Sequence, residues 1–167
     1  MGEIITMKKI IYILLLIISL SGCAGKYKGW KEIEMADLGT IKIPEGWVCH
    51  IQDNEIYFAD EGVTEFTEDT VHLAGYIYEE DNPIGAYKMF DKNAVVKELI
   101  TNEIFSNSTF MGTKKYVFNG KSCEKLYLML EVIEQNKEIY MIVWDENVSY
   151  DDIKKMAISF DRYTSEE

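Results

Sequence analysis

A chain of 167 residues with 29 acidic side chains against 17 basic ones carries a formal net charge of −12 at pH 7, which opposes binding to nucleic acid and to anionic lipid headgroups. That length suits one folded core and is short for two. Three cysteines and two histidines leave little material for thiol or metal chemistry.

Lys8 and Lys9 precede Ile10 to Leu20, an almost unbroken aliphatic run of eleven residues. A basic start and an apolar run of that length have the form of an export signal, and fall short of the roughly 20 residues a membrane-spanning helix needs. Directly behind stand Leu20-Ser21-Gly22-Cys23. Ser21 and Gly22 let a peptidase grip extended backbone, and Cys23 supplies a thiol that can be joined to diacylglycerol. These four residues resemble the lipobox of bacterial lipoproteins. The resemblance implies a signal peptide over residues 1–22, cleaved before Cys23, which becomes the lipidated first residue. Met7-Lys8-Lys9 is a more usual opening for such a signal than Met1-Gly2-Glu3, so Met7 is an alternative start. Each buried methylene contributes about 0.8 kcal/mol, and two or more acyl chains hold a protein stably where one does not. The expectation is a protein tethered to the outer face of the cell membrane. Ala24 is compatible with outer-membrane sorting in Gram-negative lipoproteins, whereas the Ile/Lys/Tyr-rich, Arg-poor composition points to a Gram-positive host. Loss of Lys8, Lys9 and Glu3 with the leader leaves 15 basic and 28 acidic residues, a net charge of −13.

Residues 23–29 read as a short tether, 30–163 as a single domain and 164–167 as a polar tail. Ile41 and Ile43 alternate with polar neighbours, and Pro44-Glu45-Gly46 breaks the strand before Trp47 to Ile51. Asp53-Asn54 turns into Ile56-Tyr57-Phe58, an acidic loop follows over Asp60 to Asp69, and Val71 to Tyr78 forms the next strand. Between Asp91 and Phe105, the spacing of Val95, Val96, Leu99, Ile100 and Ile104 predicts a helix, with Asp91 or Asn93 as its cap. Asn119-Gly120 between two strand-like runs marks a tight hairpin. Leu126, Leu128, Leu130 and Val132 share one face of the strand after it, with Tyr127, Met129 and Ile133 on the other. Ile139 to Trp144 is apolar on both faces and needs cover on both. Ser149-Tyr150-Asp151-Asp152 is a capping box, and Ile153, Met156, Ala157 and Phe160 form the stripe of a closing helix.

Leu38-Gly39-Thr40-Ile41-Lys42-Ile43-Pro44-Glu45-Gly46-Trp47 is similar to the opening of Mog1/PsbP-like domains, where a strand ends in Pro-x-Gly-Trp and doubles back. Asp151 to Phe160 resembles the terminal helix of the same group, with its Ser-Phe ending. Hairpin turns, the predicted internal helix and the closing helix together predict an α+β fold: an αβα sandwich with a central antiparallel sheet and helices on both faces. The resemblance implies the same architecture, used for binding and assembly. It brings no catalytic residues.

Neither His50 nor His72 stands in a known catalytic motif, and no phosphate-cradling glycine loop is present. Cys49 and His50 are adjacent on a strand and point to opposite faces, so they form no direct nucleophile–base pair. His72 lies on another strand and could meet either one. The acidic clusters Asp60-Glu61, Glu79-Glu80-Asp81 and Asp145-Glu146 offer oxygen ligands but lack the spacing of a calcium loop, so no metal or cofactor is expected. With Cys23 lipidated, Cys49 and Cys123 remain as a possible disulfide or as two buried free thiols, in a compartment that permits either. Tyr57, Tyr76, Tyr78, Tyr87, Tyr116, Tyr127 and Tyr140 are more than a core this size can bury without hydroxyl partners, and read as lining a groove or a contact surface or as scattered sheet-surface side chains.

The functional expectation is a non-catalytic, membrane-anchored module that interacts with or assembles an envelope or surface protein. The alternative is a lipoprotein that binds a small or apolar ligand between sheet and helix.

Overall fold

Asn119 and Gly120 both adopt positive φ, 46° and 74°, the conformation that two-residue hairpins require, and Phe118 pairs with Lys121 across them. This hairpin joins two long strands in a computed structural model that describes residues 27–79, 84–106 and 109–162. The expected leader, with Leu20, Ser21 and Gly22, and the expected lipidation site Cys23 lie outside the described residues, as do residues 163–167.

The chain runs β1 (Trp30–Glu34), β2 (Gly39–Pro44), β3 (Trp47–Gln52), β4 (Glu55–Asp60), β5 (Val71–Tyr78), α1 (Ile84–Tyr87), β6 (Val95–Ser106), β7 (Thr109–Phe118), β8 (Lys121–Val132), β9 (Lys137–Val143), α2 (Tyr150–Ser159) and β10 (Asp161–Arg162). Seven strands form one antiparallel sheet in the order β3-β4-β5-β9-β8-β7-β6, and β1-β2-β10 form a second, smaller one.

Ile139, Met141 and Val143 of β9 face one core cluster, closed by Ile41 and Ile43 of β2 and by Ile153, Met156 and Ala157 of α2. The alternate residues Tyr140 and Ile142, with Trp144 just beyond the strand, face a second cluster with Ala86 and Tyr87 of α1. A strand apolar on both faces is thus covered on both, as its sequence demands. The Ser149 capping box is also formed: its hydroxyl accepts from the Asp152 amide at 3.1 Å, and Asp152 accepts from the Ser149 amide at 3.3 Å.

The αβα sandwich is corrected. Among the described residues the fold is largely β, with α2 of ten residues on one face beside the small sheet and only the four-residue α1 on the other. Most of the segment expected to supply the second helix, 91–105, is the edge strand β6, which begins at Val95 after a turn over 91–94. Its pairing with β7 shifts register at Val96/Glu98, Leu99/Thr101 and Ile104/Ser106. Each register shift reverses the inward–outward alternation, so the sequence of β6 loses the period of two that marks a regular strand. Val95 and Ile104, two members of the supposed helical stripe, are 55% and 66% exposed, and no helix packs on them.

The tyrosine expectation also changes. Tyr57, Tyr87, Tyr116, Tyr127 and Tyr140 are all buried in the second cluster. Each hydroxyl has a partner: Tyr57 on Glu55, Tyr87 on Cys123 at 3.1 Å, Tyr116 on Tyr140 at 3.0 Å and Tyr127 on Asn102 at 2.8 Å. Satisfying the polar tip removes the desolvation cost that argued for the surface.

Candidate functional site

Asp60 ends β4, His72 is the second residue of β5, and Asp145 follows β9, the neighbour of β5 in the sheet. The amides of Trp144 and Asp145 both donate to the His72 carbonyl, at 2.9 and 3.3 Å, so the chain leaving β9 stays against β5. The His72 ring lies between two carboxylates: Nδ1 is 2.8 Å from Asp145 Oδ2, and Nε2 is 3.1 Å from Asp60 Oδ1. Ionised carboxylates only accept, so both contacts are hydrogen bonds together when both ring nitrogens carry protons. The imidazole also stacks on Trp47, with centroids 4.0 Å apart. Burial acts to raise the Asp145 carboxyl, but hydrogen bonds from the Asn147 amide at 2.8 Å, from His72 and from the Asn147 side chain at 2.9 Å outweigh it and hold it below the usual carboxylate range.

A cleft of about 880 Å³ opens beside this histidine. Tyr87, Phe118 and Trp144 supply its aromatic lining, and Cys123 and Val71 also line it. Tyr87 is pinned from behind by Tyr116, stacked at 4.0 Å, and meets Trp144 at 5.2 Å. Lys125 donates to the Trp144 carbonyl at 3.3 Å and holds its ammonium 5.6 Å from the Trp144 ring. Lys121 adds a second cation; Asp60, Glu68, Asp69, Asp145 and Glu146 supply anions. The lining therefore offers an apolar wall and charges of both signs at fixed positions.

Of the residues singled out from sequence, His72, Asp60, Tyr87, Cys123 and the cluster Asp145-Glu146 meet here. His50 does not: its ring packs 4.9 Å from Phe66, and its Nε2 is buried without a hydrogen-bond partner. Cys49 packs against the first core cluster, where burial pushes its thiol up to about 12. Cys123 lies on the opposite face of the same sheet, by Tyr87 of the second cluster. Both thiols are free, and the strands that carry them, β3 and β8, are separated by β4, β5 and β9, so the possible Cys49–Cys123 disulfide is not formed in this structure. Glu80 and Asp81 lie outside the described residues.

Sequence reasoning missed Tyr87, Cys123 and Trp144 as neighbours. They meet because the segment carrying α1 crosses the sheet, and no local pattern announces such a crossing. Among the described residues, no group of three or more His, Cys, Asp or Glu side chains is placed to hold a metal ion. No helix among them is long and apolar enough to cross a membrane. No protein-family model matches the chain, and comparison with curated proteins gives no significant match.

Proposed function

We propose that this chain is a lipoprotein, carried on the outer face of the cell membrane by lipid on Cys23, whose domain binds an amphipathic small molecule in the cleft beside His72. The cleft carries the reading. Its volume falls within the roughly 300–1,000 Å³ usual for small-molecule sites, and it combines an aromatic wall with a few fixed polar groups. The Leu20-Ser21-Gly22-Cys23 resemblance supports the anchor. Binding without catalysis is favoured because the groups suited to chemistry are already engaged: His72 by two carboxylates, and Cys123 by the Tyr87 hydroxyl.

The test is the small-molecule content of the full chain purified in mild detergent, read by mass spectrometry after extraction. A compound retained in stoichiometric amount by the parent and lost in Val63→Trp, which adds a bulky ring to the cleft wall, supports the proposal. An empty parent that also shows no thermal shift with amphipathic small molecules contradicts it.

A second reading, a module that holds an envelope protein, is favoured by one observation. The edge strand β6 presents Val95 and Ile104 to solvent. Crosslinking in cells from residue 95 or 104 to one dominant protein would support that reading.

A further inference from the structure

Tyr27 follows Cys23 by four residues, so a fully extended chain separates their Cα atoms by at most about 14 Å. Tyr27 is itself fastened to the domain. Its hydroxyl donates to the Lys155 carbonyl at 3.3 Å, its carbonyl accepts from the Trp30 amide at 3.1 Å, and its ring meets that of Trp30 edge-on at 6.0 Å. Lys42 and Lys155 hold their ammonium groups 4.8 Å from the Tyr27 ring and 5.1 Å from the Trp30 ring, and exposed Lys28 lies between the two aromatics in sequence. Both rings are half-buried. Tryptophan and tyrosine with long lysine side chains suit the boundary between lipid headgroups and water.

The cleft lies at this same end. The Glu45 amide donates to the Gly29 carbonyl at 2.8 Å, the Glu61 amide donates to the Gly46 carbonyl at 2.8 Å, and Asp60 reaches His72. Three successive contacts thus lead from the tether to the rim of the cleft.

We propose that the domain rests on the bilayer that holds its anchor, through the end bearing Tyr27 and Trp30, so that the His72 rim stands beside the lipid surface. The inference rests on Cys23 being the lipidated residue. The occupant of this end is the zwitterionic bilayer surface itself, since acidic Glu32 and Asp152, paired with Lys42 and Lys155, give the patch charges of both signs.

The test places the full lipidated chain on phosphatidylcholine vesicles with and without bromine on the acyl chains close to the headgroup. Bromine quenches tryptophan on contact. Trp47 and Trp144 are only 9% and 7% exposed, so Trp30 is the reporter. The expected result is a bromine-dependent loss of emission that Trp30→Phe removes. In addition, acrylamide quenches the vesicle-bound chain less than a leaderless Cys23→Ser chain beginning at residue 23 in solution, a reading that needs no change at Trp30. A chain that floats with the vesicles yet shows neither effect overturns the orientation and leaves the anchor standing. A chain that does not float overturns the anchor, and the orientation with it.

Discussion

The Trp47 indole lies flat on the His72 imidazole, with ring centroids 4.0 Å apart and planes 9° from parallel. Trp47 belongs to the first core cluster while His72 lines the cleft, so one stacked pair ties the packed interior to the candidate site. Trp47→Ala should therefore destabilise the domain by about 3–5 kcal/mol and loosen the histidine together. Urea unfolding gives the first effect and the His72 imidazole NMR line the second. A loss below about 1 kcal/mol, the range of surface substitutions, would place Trp47 outside the core.

Tyr116 and Tyr140 share a buried hydroxyl–hydroxyl bond of 3.0 Å. Tyr116→Phe leaves the Tyr140 hydroxyl without its partner and should cost about 1–3 kcal/mol. The double change to phenylalanine should cost less than the sum of the two single changes, because it removes both polar tips at once. Additive costs in a double-mutant cycle would show that the bond is not formed.

Gly75 pairs with Met141 in the sheet, and a side chain there would run into the Tyr140 carbonyl and the Met141 backbone. Backbone cannot move aside as a flexible side chain does. Gly75→Ala should cost at least about 1–3 kcal/mol, the usual range for overpacking, and lower the unfolding temperature. An unchanged midpoint would mean that β5 and β9 lie farther apart than described.

Burial pushes the Cys49 thiol and the Tyr127 phenol up to about 12 each. Above their unfolded values, near 8.5 and 10, the unfolded chain has released protons that the folded chain still holds. Stability contributed by these groups is full below those values and falls as pH rises toward 12. Asp145 acts at the other end of the scale: its contribution is present above about pH 4 and is lost on acidification below its lowered folded value. Urea midpoints measured between pH 7 and pH 11 should fall steadily above pH 9. A flat profile would show that these groups are hydrated.

Much of the sheet was legible in the sequence where a local rule decided it. Asn119-Gly120 could form only a tight turn, the two-faced run Ile139–Trp144 demanded cover on both sides, and Ser149 with Asp152 announced α2. β6 was not legible, because its register shifts break the period of two that marks a strand, and long-range pairing with β7 overrode the local pattern. The site was half legible. His72, Asp60 and Asp145 were each marked as chemistry-bearing residues, but their convergence depends on β4, β5 and β9 lying side by side, which residue spacing does not encode. The aromatic wall left one usable signal. Tyr76 and Tyr140 fall directly opposite each other in register, and alternate positions on β5 and β9 carry the tyrosines and Trp144 to one face.

Intact-mass spectrometry of the chain extracted from the membrane fraction tests the account most directly, because both the proposed location of the domain and its proposed orientation on the bilayer depend on lipid at Cys23. The account predicts a mature chain beginning at Cys23 and carrying diacylglycerol, and a Cys23→Ser chain that stays unlipidated with its leader attached. A parent chain recovered with its leader intact, or with an unmodified Cys23 thiol, would contradict it.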